Sequence, residues 1–187
     1  MLIPSTTPTP TDNGRWTSIF SYLHFNENER LSVRSLCRLF HTVLPGPRCA
    51  GVYTMFPHDD YPSLRNLMDR LNTMTDKVEY LFIANGTHVV TAYFGRYLLN
   101  ICTPISIIGE SREHCVVIGG LQIYGKKEDD VNVSNLTIRK SDSIGVGVYK
   151  GSSIHLDNVS VENSGRYGVY VSGSKRNTMK NCNVSHS

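Results

Sequence analysis

The feature that most constrains this chain is a repeat. Residues 131–153 (VNVSNLTIRKSDSIGVGVYKGSS), 154–176 (IHLDNVSVENSGRYGVYVSGSKR) and 177–184 (NTMKNCNV) follow one another at a constant 23-residue spacing. A fixed period in the range of about 20–50 residues marks a solenoid, in which each unit buries its apolar face on the next. Val133, Leu156 and Met179 correspond, as do Leu136, Val159 and Cys182, and Ile138, Val161 and Val184. They alternate with polar residues, so they point inward from short strands. Gly145 and Gly168 open a second strand in each coil, in which Val146 matches Val169 and Val148 matches Val171. Asn135, Asn158 and Asn181 are identical in all three copies. Asparagines stacked one coil apart can hydrogen-bond along the axis as a ladder, so these three are expected to be stacked and largely buried. The expected fold is mainly β: a right-handed parallel β-helix over residues 79–187 with 23-residue coils.

Upstream, the text changes character. Residues 1–14 are rich in Pro and Thr and read as a disordered tail. From 15 to 44 the pattern is helical, with Val33, Leu36, Cys37, Phe40, Val43 and Leu44 recurring at three- and four-residue steps. PGPRCAG (45–51) stops that segment, and residues 45–62 read as a linker and entry strand. Leu64, Leu67, Met68, Leu71 and Met74 again step by three or four after Ser63, a residue suited to an N-cap. A helix over 63–74 is therefore expected to cap the N-terminal end of the solenoid. From YLFIANGTHVV (80–90) onward, short β-rich runs end in Gly or Asn, as strands do.

Composition narrows the functional classes. Net charge is +3, and residues 1–78 carry 8 basic and 7 acidic groups against 11 and 9 in the remainder. Nucleic-acid binders usually concentrate positive charge, so no nucleic-acid partner is expected. The five cysteines show no CxxC spacing, which argues against a zinc site or a full disulfide framework. The N-terminus has no basic, apolar leader, and no run approaches the ~20 apolar residues of a membrane span. A cytoplasmic or nuclear protein without a membrane partner is expected. The sequons at Asn85, Asn132, Asn135, Asn158 and Asn183 are read as products of the repeat rather than as glycan acceptors.

Catalysis has thin support. Glycoside hydrolysis needs two carboxylates about 5–9.5 Å apart across the bond, and Asp129-Asp130 lies in the charged run KKEDD, read as a solvated turn. Arg139 and Arg166 do not share a repeat position, because 139 + 23 = 162 is a glutamate. His58, beside Asp59 and Asp60, reads as part of a polar turn, and His88, His114 and His155 read as surface residues. No catalytic residue, metal or cofactor is expected.

Two stretches resemble known families. Residues 79–187, with YLFIANGTHVV and TPISIIGESREHCVVIGG at their start, are similar to the pectin-lyase-like β-helix in its carbohydrate-binding and sugar-hydrolase repeat form. IFSYLHFNENERLSVRSLCRLFHTVL (19–44) resembles an F-box. That second resemblance implies docking to a ubiquitin-ligase adaptor through Phe20, Leu23, Leu36 and Phe40, with the β-helix holding a protein client. The alternatives are a carbohydrate-binding or polysaccharide-degrading β-helix and a self-associating solenoid. The third repeat stops after one strand, so either the solenoid continues in a longer chain or its C-terminal coil stacks on a second one.

Overall fold

The structure is a computed structural model that describes residues 53–75, 78–92 and 96–186. The sequence pattern builds three parallel ladders, and every strand pair in them is parallel. The first ladder runs through β1 (Tyr53–Phe56), β2 (Tyr80–Ile83), β5 (Ile105–Gly109), the first half of β8 (Asp130–Arg139), the first half of β10 (Ser153–Glu162), and β12 (Thr178–Lys180). The second comprises β3 (Gly86–Val89), β6 (Cys115–Ile118), the second halves of β8 and β10, and β13 (Asn183–Ser185). The third stacks β4 (Leu98–Ile101), β7 (Gly120–Tyr124), β9 (Ile144–Tyr149) and β11 (Tyr167–Val171). Over the described residues the result is a parallel β-solenoid of about six turns, and because β1 already pairs with β2 it begins upstream of residue 79.

Register corrects the uniform coil length. Tyr53, Tyr80, Ser106, Asn132, His155 and Thr178 face one another in succession. Only the last two intervals in that series, Asn132 to His155 and His155 to Thr178, have the repeat length; the three before them are longer. Early coils are longer because their corners carry extra residues. Glu110–His114 separate β5 from β6, where the later coils turn on a single asparagine.

That asparagine adopts a left-handed backbone, with φ of 55°, 54° and 52° at Asn135, Asn158 and Asn181. A second left-handed column follows five positions on, at Lys140, Asn163 and His186, with φ of 56°, 53° and 53°. Asn tolerates this region because its short side chain can hydrogen-bond locally. Each pair of bends brackets a four-residue segment, and in the first two the alternate residues, Leu136 and Ile138 or Val159 and Val161, turn inward and are buried. The asparagines thus stand at a corner between two ladders and not in the core. Asn135 and Asn158 are half-buried and Asn181 is exposed, contrary to the expected burial.

The core is a stack of aliphatic rows. Ile107, Val133 and Leu156 come from the first ladder, Val117, Ile138 and Val161 from the second, and Ile101, Ile123 and Val148 from the third. Helix α1 (Leu64–Leu71) starts at Ser63, whose side chain accepts from Asn66 N. It buries Leu64, Leu67, Met68 and Leu71 in the same core. Its polar side chains finish the edge of β4. Arg65 bonds the carbonyl of Leu98, while Asn72 donates to Asn100 O and accepts from Cys102 N, both at 2.9 Å. One side-chain amide thereby supplies the acceptor and the donor that another strand would have offered. At the opposite end, β12 and β13 leave Met179 and Val184 exposed.

Candidate functional site

Three ladders give three outer flanks; the first ladder carries Tyr80 stacked with Phe82, and the flank of the third carries a longer aromatic row. Tyr124 ends β7, Tyr149 ends β9 directly opposite it, and Tyr170 and Tyr167 lie on β11. The rings of Tyr124 and Tyr149 are 5.1 Å apart and nearly parallel, at 14°. Tyr149 and Tyr170 follow at 5.7 Å, and Tyr167 and Tyr170 at 5.7 Å. Such centroid distances are those of favourable aromatic pairs, here set by strands that repeat every ~4.8 Å. The row crosses three coils and opens at its C-terminal end, where Tyr167 is 50% and Tyr170 38% exposed.

Local sequence fixes the row. Tyr124 donates its hydroxyl to Gln122 Oε1 at 2.8 Å. Tyr149 lies back over Gly147, where a Cβ would sit 2.9 Å from its ring. Lys150 places its Nζ 5.8 Å from the centre of the Tyr124 ring, a cation–π contact. Burial, reinforced by the neighbouring Tyr124 and Tyr170, raises the pKa of the Tyr149 phenol above its ordinary value. The Tyr149 phenol therefore keeps its proton at neutral pH, and the row offers hydroxyls and ring edges. The facing surfaces of the Tyr124 and Tyr149 rings cover each other.

A second array ties the first ladder. His155 Nδ1 lies 2.9 Å from Thr178 Oγ1, and its Nε2 is 3.7 Å from Asp130 Oδ1. The spacing imitates a nucleophile, base and acid, but the histidine–carboxylate contact is longer than a hydrogen bond. The same carboxylate oxygen is held by Arg176 at 3.0 Å, and Arg176 also donates to Lys127 O at 2.9 Å. The array staples three coils together. On the second ladder Arg139 lies against Glu162, with Nε–Oε2 at 2.8 Å, and Ser160 donates to Oε1 at 2.8 Å. The Ser160 hydrogen bond and the Arg139 charge hold the Glu162 carboxyl below its usual pKa.

The other sequence candidates fall as follows. Asn158 Nδ2 donates to Asn135 Oδ1 at 3.0 Å, whereas Asn181 donates to Asp157 Oδ1 at 3.2 Å. Asp129 closes its own turn by accepting from Lys126 N at 2.7 Å, while Asp130 belongs to the staple just described. His58 accepts from Asp60 N within a polar turn, at 3.1 Å. His88 is a correction: it is buried, 2.7 Å from Ala84 O and edge-on to Phe56 at 5.3 Å. Its neighbourhood is apolar because β3 turns that side chain toward the first rung. Phe20, Leu23, Leu36 and Phe40, with the whole of 1–52, lie outside the described residues.

The tyrosine row escapes alignment of the repeats. A 23-residue step carries Tyr124 to Gly147, whereas the structural register sets Tyr124 opposite Tyr149. Tyr149 and Tyr170 likewise occupy different repeat positions and meet diagonally. Tyrosine density gives no signal either, because residues 53–97 hold five tyrosines and residues 124–170 hold four.

By fold, the described part of the chain is a parallel β-helix. The family model for the right handed beta helix region matches residues 119–187. No curated protein matches the chain, and no solved structure does. Among the described residues, no cluster of His, Cys, Asp and Glu is arranged to hold a metal ion, and no helix is long and apolar enough to cross a membrane.

Proposed function

We propose that the protein is a non-catalytic binding module that holds a protein client on the tyrosine-lined flank of its β-helix. The observation that carries this reading is the row Tyr124–Tyr149–Tyr170–Tyr167 across three successive coils. Tyrosine joins apolar area to a hydroxyl and loses little conformational freedom when fixed, which is why it is enriched at protein interfaces. Sugar rings stack on open aromatic faces, and here the facing surfaces of Tyr124 and Tyr149 are occupied by each other. That favours the client over a glycan.

In this reading the F-box-like stretch 19–44 docks the ligase adaptor through Phe20, Leu23, Leu36 and Phe40, in the cytoplasm or nucleus. Exposed Met179 and Val184 add a surface for self-association through the C-terminal coil. The test is a pull-down from a reducing cytosolic extract. Wild type is expected to recover the small F-box-binding adaptor, and Leu36→Asp is expected to lose it. Tyr149→Ala/Tyr170→Ala should keep the adaptor and lose the client. Failure of wild type to recover any adaptor removes the ligase role.

A further inference from the structure

Beside the tyrosine row, the corner that leads from the third ladder back to the first stacks in register. A Cβ on Gly151 would lie 3.7 Å from Lys127 Cα and 3.6 Å from Gly173 O, so three coils turn one above another there. This corner carries Lys126, Lys127, Lys150 and Lys175, all exposed. Among the described residues, none of the four is in an ion pair. The acids nearby are largely spoken for: Asp129 closes its turn and Asp130 holds Arg176, leaving exposed Glu128. Lys150 leans across Tyr124 and joins the cationic corner to the aromatic row.

We propose that this tyrosine–lysine flank takes an extended acidic segment of a polypeptide. The proposal rests on the binding-module reading and names the chemistry of the client. Charge complementarity selects the acidic partner, and unpaired surface charge steers such a partner to the site. Lysines on three coils at ~4.8 Å per coil span about 10 Å, the length of roughly three residues of extended chain. Tyr124 and Tyr149 close their facing ring surfaces on each other. That leaves fewer open rings than sequence-tolerant strand binders use to stack bases, so a polypeptide is the favoured occupant.

The experiment measures fluorescence anisotropy of dye-labelled poly-L-glutamate, of a length that spans the flank several times over, with the full chain. An uncharged Gly-Ser peptide and a single-stranded oligothymidylate of equal charge serve as comparison probes. Poly-L-glutamate is expected to bind, and more weakly as salt is raised. Lys127→Glu/Lys150→Glu/Lys175→Glu is expected to weaken it by about tenfold or more, since several charge contacts reverse together. These side chains are exposed, so an unchanged far-ultraviolet circular dichroism spectrum is expected for the variant. Binding that survives the triple reversal, or no binding at all, overturns the proposal. Oligothymidylate binding as tight as poly-L-glutamate overturns the polypeptide assignment. If poly-L-glutamate fails while Tyr149→Ala/Tyr170→Ala still releases a client in the pull-down, the acidic preference falls and the module reading stands.

Discussion

Asn158 hands its side-chain amide to Asn135 across one coil at 3.0 Å, and both residues hold a left-handed backbone. The same residue type therefore solves two problems at one corner. It tolerates a φ of 54° and bonds to its counterpart in the preceding coil. Asn158→Gly keeps the backbone and removes only the bond, so a loss of about 1 kcal/mol is expected. Asn158→Ala adds the left-handed penalty of about 1–2 kcal/mol. Urea denaturation should rank the variants wild type, Gly, Ala in falling stability. Equal midpoints for Gly and Ala would show that the corner is not held left-handed.

Gly109 occupies the corner position of the third coil, in register with Asn135. A Cβ there would sit 2.3 Å from Asn135 O and 2.8 Å from Leu136 Cβ, so the next coil would have to move. Gly109→Ala is expected to destabilise by roughly 1–3 kcal/mol, the range for forcing extra volume into a packed interior. Gly151→Ala, with no contact under 3.6 Å but a φ of 91°, probes backbone strain without the clash. Thermal melts of the two separate crowding from strain.

Helix α1 closes the N-terminal end of the described solenoid through Leu67, 1% exposed, and through Asn72 at the β4 edge. Leu67→Ala is expected to cost about 2–5 kcal/mol. Asn72→Ala leaves one strand donor and one acceptor without their partners and should cost about 1–3 kcal/mol. Hydrogen exchange should place the Asn72→Ala effect at Cys102 N before any other amide of that strand.

Cys115 is fully buried on β6, and burial pushes its thiol up to about 12 from 9.0. Below pH 9 the folded and unfolded thiols both hold their proton, and this group contributes no pH dependence. Between 9 and about 12 the unfolded thiol ionises while the native one does not, so stability falls as pH rises. The slope approaches about 1.4 kcal/mol per pH unit for this one group. Cys115→Ala should flatten that slope relative to wild type. In the native protein, brief iodoacetamide treatment read by mass spectrometry is expected to leave Cys115 unlabelled until denaturant is added.

Much of this fold is legible in the residues. The 23-residue spacing fixes the pairing of Val133 with Leu156 and of Ile138 with Val161, because a slip by one position would turn those side chains outward. It also places Glu162 beside Arg139, an ion pair readable as 139 + 23. The longer early coils were not legible. Extra residues in a corner leave the inward rows intact, so nothing in the alternation of Leu81, Ile107 and Val133 reports how much chain lies between them. That same indifference hid the tyrosine row, which depends on Tyr149, and not Gly147, standing opposite Tyr124. The burial of His88 was hidden for a related reason: its apolar neighbour Phe56 belongs to β1, a rung earlier and distant along the chain.

The central claim is that the tyrosine flank, and not another face of the β-helix, contacts a client. Replacing Tyr170 by the photo-cross-linker p-benzoylphenylalanine tests it directly, with the same replacement at exposed Asn132 on the first ladder as the comparison. On irradiation in cytosolic extract, position 170 is predicted to give a discrete cross-linked species that Tyr149→Ala abolishes, and position 132 is predicted to give none. The same cross-links from both positions, or none from position 170, would contradict the account.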